Sequence, residues 1–267
     1  MPNPSALITT FIKQFQHPPT VLASAPGRIN LAGEHVDYNE GIVLPAAIDR
    51  ALQVAAAPVT DNTITITAHD LGETVAFRLD QLDQRIGLHG GPLPSWALYP
   101  AGVAWSLQGS GYPVAGMQAV FTSDIPIGAG LSSSAAVEVA FAFAWQALEN
   151  WPAEPLTLAR LWQRAENVYA GVNCGLLYAS HPSLRDLYEV GCPEIDFLME
   201  TSRKIPGCFG ARLSGAGFGG CTVNLVDETQ AKALMRLLHD DYQRRTGREA
   251  AVCLCHASQG AAAEKLI

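Results

Sequence analysis

The chain has 267 residues, a formal net charge of −8 and a sequence pI near 5.3, with 48% hydrophobic and 16% charged residues. That is ample apolar material for one large domain or two medium ones. The acidic balance argues against nonspecific nucleic-acid binding, which needs clustered Lys and Arg, yet leaves open an anionic ligand held by backbone N–H groups.

The first residues, Met1 to Gln14, lack a basic segment followed by an apolar core. No secretion signal is therefore expected, and a cytoplasmic location is. Residues 5–16 pattern as a short amphipathic helix. Val21–Ala25 and Ile29–Leu31 read as strands broken by the Pro26-Gly27 turn signal. Ile48–Pro58, Thr63–Ala68 and Thr74–Leu79 read as strands, Trp96–Gln108 as a helix and Met117–Ser123 as a strand. Ala135–Leu148 is the most apolar long stretch. It is shorter than the roughly 20 residues a bilayer span needs and contains Glu138, so a buried helix is expected rather than a membrane segment. Leu156–Val168 reads as a further helix.

A second, smaller unit follows, with a boundary expected at 171–180. Leu184–Ser202 and Thr229–Arg245 pattern as helices, while Gly210–Leu213, Cys221–Val226 and a closing Ala250–His256 pattern as strands. The mixture is α+β. The six cysteines, Cys174, Cys192, Cys208, Cys221, Cys253 and Cys255, form no C-x-x-C pair and complete no zinc set with His. Reduced, mostly buried thiols are expected.

Two glycine loops and one polar cluster carry the chemistry. Pro126-Ile127-Gly128-Ala129-Gly130-Leu131-Ser132-Ser133-Ser134-Ala135 joins a strand to a helix. Its glycines allow close approach of a ligand, and the helix that follows aims unpaired N–H groups at phosphate. Its serine hydroxyls suit phosphate oxygens or Mg2+. The loop has no Walker lysine, and a plain Gly/Ser helix cap would look much the same. Ser214-Gly215-Ala216-Gly217-Phe218-Gly219-Gly220 contains G-x-G-x-x-G, but a strand follows it, which removes the dinucleotide-binding reading. A loop against a ligand and a simple hairpin both remain open for it. Between Arg28 and Tyr38, eleven residues carry Arg28, Glu34, His35, Asp37 and Tyr38. Arg28 can neutralise phosphate charge, and the others can bond sugar hydroxyls, although a solvated turn would also tolerate them.

Order and spacing decide between these readings. Gly27-Arg28-Ile29-Asn30-Leu31-Ala32-Gly33-Glu34-His35-Val36-Asp37-Tyr38-Asn39-Glu40-Gly41, continuing through Val43 to Ile48, resembles the galactokinase signature. Pro126–Ala135 resembles the phosphate motif of the wider GHMP kinase superfamily, and Gly210–Gly220 its third motif. The resemblance implies a two-domain GHMP kinase fold of α+β class. Residues 1–176 would form a ribosomal-S5-like N-terminal domain, and 177–267 a truncated ferredoxin-like C-terminal domain. It implies ATP-dependent phosphorylation of galactose at the anomeric hydroxyl, with ATP and Mg2+ as cofactors. No nucleic-acid or membrane partner is implied, and the expected state is a monomer. Glu34, His35 and Asp37 match the sugar-holding positions, and Arg28 the transition-state stabiliser. Gly128, Ala129, Gly130, Leu131, Ser132, Ser133 and Ser134 match the ATP phosphate loop. Ser134 and Glu166 match the Mg2+ ligands, and Trp96 the aromatic beside adenine.

One stretch departs from the family pattern. Asn173-Cys174-Gly175 should run on into Ile-Met-Asp-Gln, whose Asp is the base that takes the sugar proton. Here Leu176-Leu177-Tyr178-Ala179-Ser180-His181 follows, and Tyr178 stands at the base position. Tyr178–Asp186 resembles a segment much further along the family's chain, so an internal deletion joined near Leu176 is expected. It would remove the base, a sugar-contacting tyrosine and the first strand of the C-terminal domain. A catalytically inactive sugar- or nucleotide-binding relative is the alternative reading.

Overall fold

A computed structural model describes residues 2–32, 44–126, 130–152, 154–171, 192–214 and 221–266. Its main layer is a six-stranded sheet of β1 (Val21–Ala32), β2 (Leu44–Val59), β3 (Thr63–Ala68), β4 (Glu73–Arg78), β5 (Gly116–Ser123) and β8 (Ala262–Lys265). The strand order is β4-β3-β5-β2-β1-β8. All pairings are antiparallel except β3 with β5.

Side-chain alternation sorts this sheet into two faces. Ala55, Ala57 and Val120 turn toward α1 (Pro4–Phe15) and bury Leu7 and Phe11. Their neighbours Val54, Ala56 and Ala119 turn the other way, into the main core with α2 (Leu98–Gln108), α3 (Ser133–Glu149) and α4 (Pro155–Arg164). The α1 helix starts where Asn3 Oδ1 accepts the Ser5 N–H at 3.0 Å, with proline in its first turn. Ala135–Leu148 is the buried helix that its composition predicts, within α3.

The second sheet, β6 (Cys208–Ser214) with β7 (Cys221–Val226), has two strands among the described residues. It packs against α5 (Pro193–Arg203), which in turn packs against α6 (Glu228–Thr246). Asp227 caps α6 by accepting from Thr229 N at 2.9 Å, and Gly247 ends it at φ +70°.

Four expectations are corrected. Pro26-Gly27 does not break β1; it is a register shift within one continuous strand. The helix expected over Leu156–Val168 ends at Arg164 and becomes a π-helical turn over Ala165–Ala170. Ala250–His256 joins no ladder; the closing strand is β8, which pairs with β1 at Val21–Ser24, where an unpaired sheet edge is available. Of the five described cysteines none is fully buried, and Cys253 is exposed.

Candidate functional site

The site is built where β1, the loop after β5 and the start of α3 meet. At the β1 bulge, Gly27 lies against the loop: a Cβ there would stand 3.0 Å from the Leu131 carbonyl oxygen and 3.2 Å from Ile48 Cδ1. The next residue, Arg28, donates its backbone N–H to that same Leu131 carbonyl at 3.0 Å. The two motifs are thus in direct contact. The glycine is required by the close approach of backbone to backbone. The Arg28 side chain is half-buried beside this junction.

The loop is anchored at its start. Asp124 Oδ1 accepts the Ala51 N–H at 2.7 Å, and Asp124 Oδ2 lies 3.5 Å from an Arg50 guanidinium nitrogen. Ser123 Oγ accepts from Ile125 N at 3.1 Å. Beyond it, Gly130 and Ser132 both take left-handed backbone, at φ +67° and +61°. For serine this costs about 1 kcal/mol, and such outliers concentrate at functional sites. Ser132 provides no side-chain cap for α3. Ser133 and Ser134 open the helix, where the first-turn N–H groups have no intrahelical partner and the dipole favours an anion. Gly128 and Ala129 lie outside the described residues.

Ser134 Oγ donates to Glu166 Oε1 at 2.8 Å, so the two residues matched to Mg2+ ligands are brought together. Glu166 is 5% exposed and sits on the π-helical turn. That turn is held by Tyr169, whose hydroxyl donates to the Leu82 carbonyl at 2.6 Å and whose ring stacks near Trp105 and under Arg85. Gly102 on α2 makes this possible, since a Cβ there would stand 3.1 Å from the Tyr169 ring. Both donors of the pair are hard oxygens on elements fixed by packing, a donor set that fits Mg2+.

One turn after Ser134 on the same helix face is Glu138, 1% exposed. Burial, with a smaller contribution from the charge of Glu166, pushes its pKa up to about 9. It is therefore protonated at neutral pH, because a second bare carboxylate there would be desolvated and repelled. Trp96 is half-buried against Phe121 at 5.7 Å, and its indole N–H donates to Glu73 Oε2 at 2.6 Å. Glu34, His35, Asp37 and Tyr178 lie outside the described residues. Sequence reasoning missed Gly102, Asp124 and Tyr169, which position the site without carrying a recognisable motif. A lone carboxylate in an apolar helix, four residues after Ser134, was the visible signal for Glu138.

The fold and this site define a GHMP kinase. Profiles for the GHMP kinase N-terminal and C-terminal domains match residues 99–180 and 171–243. The galactokinase galactose-binding signature matches residues 9–58. The galactokinase of Roseiflexus sp. (strain RS-1) is 30% identical over 368 aligned positions, covering 91% of this chain and 92% of the relative. That of Chloroflexus aurantiacus is 29% identical, covering 96% of each. The crystal structure of Lactococcus lactis galactokinase complexed with galactose matches with a TM-score of 0.85 at 24% identity, covering 98% of this chain and 99% of the other. The Methanococcus jannaschii mevalonate kinase matches at 0.63 and 16%, covering 83% and 95%. The chain belongs to the galactokinase family.

The lengths carry further information. An alignment of 368 positions cannot be filled by 267 residues, so at least 101 positions of the Roseiflexus relative's aligned span have no counterpart in this chain. The two domain profiles overlap at 171–180.

Proposed function

We propose that this chain derives from an ATP-dependent kinase that phosphorylates galactose at its anomeric hydroxyl, giving galactose 1-phosphate, and that loss of an internal segment has weakened its turnover. The observation that carries the reading is the bond from Arg28 N–H to the Leu131 carbonyl, which joins the sugar signature to the phosphate loop. A kinase needs the two substrates in line, with charge neutralised between them, more than it needs covalent chemistry.

In this reading Glu34, His35 and Asp37 hold the sugar hydroxyls. Gly128 to Ser134 cradle the triphosphate through backbone N–H groups, and Trp96 flanks the adenine. The Arg28 guanidinium neutralises charge on the transferring phosphoryl group. Ser134 and Glu166 would hold Mg2+, which when bound supplies a positive charge to the ATP phosphates. Glu138, protonated, keeps the ground beneath that pair from carrying a second charge.

The missing positions support a join near Leu176 that leaves Tyr178 where the family has Asp. A phenol with an ordinary pKa near 10 is a poor base at neutral pH. Losing a positioned base typically costs about 10²–10⁴-fold. The proposed boundary, 1–176 against 177–267, falls at this join. The exposed Phe209 and Leu225, at 71% and 57%, support a second sheet that has lost a neighbour. A catalytically silent sugar- or nucleotide-binding protein is favoured by the same join, since the nucleotide wall survives it.

Calorimetric titration with Mg·ATP and with galactose, run beside a coupled ADP-release assay, tests this. ATP binding that Ser134→Ala weakens, with slow galactose-dependent ADP release, supports the kinase reading. Binding with no ADP release supports the silent relative. Absence of ATP binding overturns both.

A further inference from the structure

The tail that follows α6 first meets the main sheet at a tightly bonded point, before β8 joins it. His256 donates its backbone N–H to Asp49 Oδ1 at 3.0 Å, and its ring Nδ1 lies 3.1 Å from Asp49 Oδ2. Asp49 N–H donates to the His256 carbonyl at 2.9 Å, and Ser258 N–H to the Ala47 carbonyl at 2.9 Å. Immediately before this clamp stand Cys253 and Cys255, with their sulfurs 4.0 Å apart. Alternate residues of an extended segment share a face, which is what places both thiols together. The Arg50 guanidinium faces both sulfurs and also Asp124, the anchor of the phosphate loop. The bond from Cys255, aided by Arg50, lowers the Cys253 pKa to about 6, while the bond raises that of Cys255. The exposed Cys253 is thus the more acidic thiol of the two, the one that reacts as a thiolate.

We propose that Cys253 and Cys255 form a redox-active thiol pair that a hydroperoxide converts to an intrachain disulfide, loosening the clamp between the tail and β2. The Cys253 thiolate attacks one peroxide oxygen; the O–O bond breaks and the leaving hydroxide takes a proton as water. This gives a sulfenic acid on Cys253. The Cys255 sulfur then displaces the sulfenic hydroxyl, which departs as water with the Cys255 proton, and the S–S bond forms. Two thiols lose two electrons in all, and one hydrogen peroxide becomes two waters. Closing 4.0 Å to a bond of about 2.05 Å shortens the segment. Residues 250–256 lie in no strand ladder, so the backbone is able to follow. The strain then falls on the His256–Asp49 clamp. This proposal is independent of kinase activity.

The purified full chain is treated with equimolar hydrogen peroxide and mapped by peptide mass spectrometry. The expected result is a Cys253–Cys255 link, reversed by dithiothreitol, with Cys174, Cys192, Cys208 and Cys221 still reduced. Cys255→Ser should stop the reaction at a dimedone-reactive sulfenic acid on Cys253. Arg50→Gln should slow thiol loss about tenfold by withdrawing charge from the thiolate. The oxidised chain should also be cut several-fold faster between residues 247 and 260 by a broad-specificity protease. Oxidation of another cysteine first, arrest of the unmodified chain at sulfenic or sulfinic acid, or a disulfide that leaves tail cleavage unchanged would each overturn the proposal.

Discussion

The two halves of this molecule are built to different standards. The first buries one continuous core, in which Trp145, Phe141, Leu107 and Ile48 are fully enclosed between a six-stranded sheet and its helices. The second, among the described residues, buries Ile195, Met199 and Leu213 as its cluster, beneath a two-stranded sheet that leaves Phe209 and Leu225 in solvent. Stability follows buried apolar area and closed edges, and beyond that cluster the described part of the second half buries only the apolar side chains of Ala231, Leu234 and Leu238. The contrast teaches which half carries the site. The phosphate loop, the Ser134–Glu166 pair and the Arg28 junction all rest on the first core, so the internal loss proposed above would spare them.

The largest expected effect is in limited proteolysis. Residues 192–246 should be cut about 10²-fold faster than residues 44–149, since local opening of a thin core costs far less than opening a thick one. Equal resistance of the two halves would remove the contrast. Core truncations sharpen it. Trp145→Ala should cost about 3–5 kcal/mol and lower the main thermal transition. Met199→Ala should melt the second half while leaving that main transition nearly in place, as followed by calorimetry.

Protonation offers a smaller probe of the first core. The fold raises the Glu138 pKa from 4.5 to about 9, so it favours the proton. The stability this contributes is complete below the unfolded value, declines as pH rises and is lost through the folded value. Thermal stability should therefore fall by up to a few kcal/mol between about pH 5 and 9, and Glu138→Gln should flatten that slope. An unchanged slope in Glu138→Gln would show that the carboxyl does not govern it. Least of all, Phe209→Ser with Leu225→Ser should change stability by less than about 0.5 kcal/mol while reducing association seen in sedimentation, because both side chains are already in water.

Much of the first half was legible in the sequence because strong periodic patterns and compact motifs carried it. The strands Thr63–Ala68 and Gly116–Ser123 and the buried helix containing Glu138 follow from apolar spacing alone. The Ser134–Glu166 pairing came through resemblance, since 32 residues separate the partners and no local pattern links them. What stayed hidden was set by tertiary contact. Gly27 looks like a turn residue until the Leu131 carbonyl is placed against it. Gly102 looks like a helix weakness until Tyr169 packs there. The tail misled in the same way, because Ala250–His256 has strand composition but enters no ladder and bonds β2 through His256 and Asp49. The sequence predicts reduced, mostly buried thiols at Cys253 and Cys255, and only the fold brings Arg50 near them.

In the proposed reading, nucleotide binding outlives the base. The decisive experiment measures Mg·ATP affinity and galactose-dependent ADP release on the same sample, beside a full-length galactokinase. ATP binding of comparable strength, with turnover lower by about 10²-fold or more, is expected. Turnover equal to that of the full-length enzyme would refute the reading.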